Sequence, residues 1–180
     1  MGQRDYPWYD VVTGDVLEQG DLFEQCPVLS PPAGLKLEAG GIPAATIDWR
    51  TRDVILLSQS CDMVRGQEKL SDVLLCSVWN PKELDAGPFK NLKSGLENVR
   101  CGRVNGFHLL ANCTLPGLQR NFRVVDFRRV YSLPLEFMRS LAAAQGSRLR
   151  LLPPYREHLS QAFARFFMRV GLPVDIPPFK

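Results

Sequence analysis

Five small polar residues in a row, Ser58-Gln59-Ser60-Cys61-Asp62, follow the most apolar stretch of the chain. A buried strand that ends this way delivers hydroxyls, a thiol and a carboxylate to the rim of a sheet, where sites concentrate. Ser58, Ser60, Cys61 and Asp62, with Arg50 and Arg52 just upstream, are therefore the candidate catalytic residues. Thiol chemistry at Cys61 needs His108 or an arginine close in space, because a carboxylate neighbour does not help a thiol ionise. The competing reading is a turn in which Asp62 caps backbone amides and Cys61 packs.

Metal chemistry has less to draw on. Cys26, Cys61, Cys101 and His108 could meet only through folding, since no Cys-x-x-Cys or His-x-x-x-His spacing occurs. No cofactor is expected, and zinc on those four residues is the one metal option. The glycine-rich phosphate loops and the Gly-x-Ser-x-Gly nucleophile motif are absent. The 5 cysteines form no short-spaced framework, which fits free thiols in a reducing compartment. MGQRDYPWYD lacks the apolar core of a secretory leader, and no apolar run approaches the roughly 20 residues of a membrane span. Cytoplasm is the expected location.

Charge is segregated. Residues 1–90 carry 8 basic against 14 acidic residues, and residues 91–180 carry 14 against 5, within a net charge of +3. Either the acidic half folds against the basic half, or the basic half presents a face to nucleic acid or to an acidic partner. For the second reading the candidates are Arg100, Arg103, Arg120, Arg123, Arg128 and Arg129, interleaved with Phe107, Phe122 and Phe127. Cations for phosphate and flat rings for bases are what a single strand requires. Strand alternation, however, puts Phe122, Val124 and Asp126 on one face and Arg123, Val125 and Phe127 on the other.

The elements that must carry these residues follow from punctuation and period. The 180 residues, 45% of them hydrophobic and 23% charged, suit a globular chain and exclude wholesale disorder. Residues 1–13 read as an irregular segment. Asp21 to Leu29 reads as a strand, with Pro27 placing it at an edge or a bulge. A long Pro/Gly/Ala loop over residues 30–46 follows. Asp53 to Ser58 is a continuous apolar run, hence a strand buried on both faces. Asp72 to Trp79, Arg103 to Leu110 and Phe122 to Tyr131 are further strands, and Leu92 to Val99 is weakly helical. Pro134 to Gln145 reads as a short helix ended by Gly146. From Tyr155 onward, apolar residues at Leu159, Ala162, Phe163, Phe166, Phe167 and Val170 mark a long amphipathic helix ended by Gly171 and Pro173. Its apolar stripe either packs on the sheet or docks a partner or a second copy.

Strands first and helices last point to an α+β fold. Gly20-Asp21-Leu22-Phe23 opening a strand, a long loop, then Asp53-Val-Ile-Leu-Leu-Ser58 entering a polar turn, resembles the small β-barrel of PemK/MazF-like toxins, over residues 14–131 in outline. The Cys26-Pro27 step and the Leu57 to Asp62 strand end also resemble a group of uncharacterised bacterial proteins. The toxin family cuts single-stranded RNA with an arginine in the first long loop and a Ser or Thr on a later strand. Here that loop holds Lys36 and no arginine; the first arginines after it are Arg50 and Arg52.

The expectation is thus an α+β protein: a small, partly open β-barrel over residues 14–133, with a C-terminal helical region over residues 134–180 packed on it. The expected function is a non-catalytic module of a bacterial toxin or defence system that binds single-stranded RNA or an acidic protein, away from membranes. The alternatives are a metal-independent endoribonuclease of the PemK/MazF type, using Arg50 or Arg52 with Ser58 or Ser60, and a zinc-stabilised structural protein.

Overall fold

A computed structural model of the chain describes residues 6–30, 48–84 and 87–168. The expected long loop with Lys36, and the helix end at Gly171 and Pro173, lie outside the described residues. The elements run β1 (Tyr9–Val12), β2 (Leu22–Ser30), β3 (Asp48–Leu56), β4 (Asp72–Trp79), α1 (Leu92–Arg100), β5 (Phe107–Leu110), β6 (Arg123–Pro134), α2 (Leu135–Gln145), β7 (Arg148–Leu151) and α3 (Tyr155–Phe167). Short 3-10 turns occupy Ser60–Asp62, Pro81–Glu83 and Gly87–Phe89.

The fold is α+β, built on two antiparallel sheets: a five-stranded sheet in the order β2-β3-β4-β6-β5 and a two-stranded sheet of β1 and β7. An isolated bridge from Asp21 to Arg150 joins the start of β2 to β7. Among the described residues the strands do not close into a barrel; the ladder ends at β5. Tyr9 of β1 reaches toward that end, its hydroxyl donating to the Ala111 carbonyl at 2.8 Å.

Residues 1–13 are not all irregular, because Tyr9–Val12 pairs with Arg148–Leu151, and β7 likewise interrupts the region expected to be helical. Both strands have only 4 residues, and a buried arginine stands in β7 where an apolar residue would have signalled a strand. The other expected strands are present. Asp72–Trp79 has the expected bounds. β2 is an edge strand, as Pro27 requires, since proline has no N–H to give a second neighbour. The Val54 to Leu57 run is buried, but β3 ends at Leu56, so Ser58 belongs to the turn that follows.

Alternation sorts the large sheet into two faces. One face carries Ile55, Cys76, Val78, Val125 and Phe127, packed with Tyr9, Leu149 and Leu151 of the small sheet and with Leu159 of α3. Phe163 and Phe166 pack against this core, so the helix stripe faces the sheet along most of its length, while Phe167 remains 58% exposed. The opposite face carries Val54, Leu56, Val73 and Leu75 under Leu135, Met138 and Ala142 of α2. Gly146, at φ 73°, ends that helix in the left-handed region that glycine adopts freely. Further along the same face Phe107 and Val124 are covered by Phe89 and by Val99 of α1. Between those two covers a strip of the sheet is left polar.

The segregated charges largely answer one another. Glu24 holds Arg120, Glu68 holds Arg139, Asp21 holds Arg148 and Arg150, and Glu18 holds Arg150 and Arg156. These pairs tie the acidic first half of the chain to the basic second half.

Candidate nucleic-acid interface

The polar strip is built by register. On β3, Arg50 and Arg52 precede Val54 and Leu56 on the same face, and Val54 pairs with Ser77 of β4, which in turn pairs with Asp126 of β6. Trp79, two residues beyond Ser77, comes level with Arg52. On β6 the register jumps: Cys76 opposes Val130 while Ser77 opposes Asp126, so Phe127, Arg128 and Arg129 have no partner on β4. A bulge of this kind bends the strand and re-aims its side chains. Phe127 goes into the core, while Arg128 and Arg129 stand exposed over the strip.

Arg52 and Arg129 therefore converge on one indole, each guanidinium carbon 5.2 Å from the Trp79 ring centroid. Arg128 lies 4.2 Å from the centroid of Phe107. Asp126, buried at their base, fixes this set. Its carboxylate accepts from Nε and Nη2 of Arg128 at 2.8 and 2.9 Å and from the Arg128 amide at 3.1 Å, and lies 3.8 Å from Arg129 Nε. Ser77 donates its hydroxyl to Tyr131 at 3.2 Å along the floor. Beside them is a cleft of about 240 Å³ bounded by Trp79, Phe89, Phe107 and the two bulge arginines. The Trp79 Nε1–H is buried there without an acceptor. Arg52 makes no hydrogen bond or ion pair among the described residues. Two carboxylates, buried Asp126 and the exposed Glu83 in the wall of the cleft, thus stand beside three guanidiniums, with Arg50 exposed on the same face.

The other expected residues go elsewhere. Ser58 is buried, and its hydroxyl accepts from the Leu74 amide at 2.9 Å. Ser60 accepts from the Gln19 amide at 3.0 Å. Cys61 is exposed, 3.6 Å from the Asp62 carboxylate, and Lys69, 3.0 Å from Asp62, holds that carboxyl below its usual range. The Ser60–Cys61 turn does border open clefts, but the arginines there are Arg65, Arg139 and Arg156 and not the six expected from the second half. Arg52 and Ser58 are six residues apart on an extended chain, roughly 20 Å, so the turn and the strip are separate places.

Arg100 pairs with Glu97 on α1, Arg103 is exposed in the turn after that helix, and Arg120 grips Glu24 with two bonds of 2.6 Å, holding that carboxyl below its usual range. Arg123 is buried on the opposite face of the sheet. Only Arg128 and Arg129 of the six meet Arg52. The four candidate metal ligands do not converge: Cys26 is buried in β2 with its thiol pushed up to about 12 by burial, Cys61 and Cys101 are exposed, and His108 lies on β5. Among the described residues no group of three or more His, Cys, Asp or Glu side chains could hold a metal ion, and no helix is long and apolar enough to cross a membrane.

Trp79 is the site residue that sequence reasoning missed, since it reads only as the last residue of a strand. The signal that could have found it is the adjacent Asn80-Pro81 stop, which leaves the indole at a strand end with room above it. No protein-family model and no curated protein matches the chain.

Proposed function

We propose that the chain is a single-strand RNA-binding module whose contact surface is the strip through Arg50, Arg52, Trp79, Arg128 and Arg129. The observation that carries this reading is the convergence of Arg52 and Arg129 on Trp79, from strands distant in sequence. Stacking on an indole or phenyl ring holds a guanidinium plane in place at little entropic cost and leaves its N–H groups free for phosphate. Guanidinium planes and ring edges are also stacking surfaces for unpaired bases. The cleft beside Trp79 adds an unanswered N–H donor, which suits a base edge or a ribose hydroxyl. The strip's hydroxyl and its buried carboxylate are already engaged, Ser77 with Tyr131 and Asp126 with Arg128, which favours binding over cleavage. In this reading the two sheets are the staves of a partly open barrel of the PemK/MazF kind, and the strip is its outer nucleic-acid face.

The test is fluorescence anisotropy with a labelled single-stranded RNA at two salt concentrations. Binding is expected to weaken with salt, as counterion release requires. Replacing Arg52 and Arg129 together by Gln is expected to weaken it by about tenfold or more and to flatten the salt slope by about two. Replacing Arg100 and Arg103 is expected to leave it nearly unchanged. RNA binding that ignores salt or the double replacement, or that is absent while an acidic protein binds the strip, would overturn the reading.

A further inference from the structure

Arg123 opens β6 on the face of the sheet opposite the strip, and it is 6% exposed. Its Nε and Nη2 are buried and have no hydrogen-bond partner. The nearest carboxylate oxygen, Glu24 Oε1, is 3.9 Å from Nη1, and both Glu24 oxygens already accept from Arg120 at 2.6 Å. Asp53 feels the charge of Arg123, but burial holds its carboxyl up, its oxygen accepts from the Gln25 amide at 3.0 Å, and it forms no ion pair among the described residues. A buried guanidinium without its own counterion is costly.

The contrast with its neighbours is direct. Arg100, Arg120 and Arg128 each set the Nε–Nη2 edge on a carboxylate, the paired geometry that guanidinium favours. On Arg123 that same edge is unanswered.

Arg123 also stands in the wall of a cavity of about 240 Å³. A β2 bulge shapes it: Glu24 and Gln25 together oppose Asp53, and Gln25 takes φ 52°, in the left-handed region. Such strain and bulges concentrate where a side chain has to be re-aimed. The second arginine of the wall, Arg148, is spent, donating to Asp21, to the Gly14 carbonyl and to the Val16 carbonyl. Leu22, Leu118 and Leu149 supply an apolar side.

We propose that this cavity binds a small monocarboxylate, its oxygens on the guanidinium of Arg123 and its short hydrocarbon body against the three leucines. The unanswered Nε–Nη2 edge carries two parallel N–H donors, which the two oxygens of one carboxylate match. A phosphate dianion would add a second charge near Glu24 and Asp53. The cavity and the RNA strip lie on opposite faces, so this inference stands or falls independently of the proposed function.

The test titrates the full chain with 3-methylbutanoate, acetate and inorganic phosphate, reading the Arg123 Nε–H resonance by NMR and the heat by calorimetry. A saturable shift with 3-methylbutanoate is expected, with acetate about tenfold weaker because it lacks the buried hydrocarbon. Leu118→Trp fills the cavity from a loop without touching the guanidinium, and is expected to weaken 3-methylbutanoate binding by about tenfold or more. Arg123→Lys keeps the charge but loses the planar edge, and is expected to abolish binding while thermal unfolding reports whether the fold persists. No shift with any of the three probes, as for a cavity that holds water only, would overturn the site. Phosphate binding more tightly than 3-methylbutanoate would overturn the carboxylate assignment, and equal binding to the Leu118→Trp variant would overturn the location.

Discussion

His108 lies on β5 with its ring 6.3 Å from that of Phe127. Burial, and secondarily the charge of His158, pull its imidazole down to about 4. Unfolding returns it to the ordinary value near 6.5. Between those values the unfolded chain binds the extra proton, so the stability that comes from burying a neutral ring is present above about pH 6.5. It is lost as the pH falls toward 4. The folded chain is expected to lose up to about 3 kcal/mol across that window, and His108→Gln is expected to remove most of this slope. Urea unfolding of both proteins at several pH values measures it; parallel curves would show that the ring is not the source. Glu24 acts in a separate window. Its carboxyl is lowered chiefly by the hydrogen bonds from Arg120, so its contribution is full above its ordinary value and is lost only in stronger acid.

At the scale of elements, α1 is held to the turn at Gly87–Phe89 by close backbone contact. A Cβ on Gly95 would lie 2.4 Å from the Pro88 carbonyl oxygen. Alanine normally stabilises a helix relative to glycine by about 1 kcal/mol. Here the clash is with backbone, which cannot swing aside, and overpacking of that kind costs about 1–3 kcal/mol. Gly95→Ala is therefore expected to lower the melting temperature; a rise would mean that the contact is loose. The long apolar runs that become β3 and β4 were legible in the sequence because burial on both faces leaves a composition signal. The α3 helix was legible from its 3.6-residue period, and α2 from the proline at its start and the glycine at its end. β1 and β7 were not, since strands this short carry too few alternations, and the buried Arg148 and the half-buried Arg150 reverse the expected polarity. The meeting of Arg52 with Arg129 was also hidden. It depends on which residue of β4 faces which residue of β6, and a three-residue slip in β6 decides that through tertiary packing.

Across the whole molecule, the charge imbalance between the halves is mostly consumed internally. Asp21 is the hub. It is fully buried and accepts from Arg148 at 3.0 Å, from Arg150 at 2.9 Å and from the Glu18 amide at 3.2 Å. Removing one partner of such a buried set leaves a charge without compensation and costs about 3–5 kcal/mol. Asp21→Asn is expected to destabilise the protein by that amount in denaturant titration, and a change below about 1 kcal/mol would show that Arg148 finds another acceptor. Arg52, which forms no ion pair among the described residues, and Arg129, held only by the 3.8 Å contact to Asp126, are the ones that meet on the strip. The pairing of β1 with β7 carries a further consequence for how the chain is made. β1 leaves the ribosome before β2 to β6 and α2 are made and must wait for all of them before its partner emerges, with Asp21 and the hydrocarbon around Tyr9 uncovered in the interval. The arrival of β7 therefore closes the core, and a chain that stopped short of it would present that uncovered edge to chaperones and proteases.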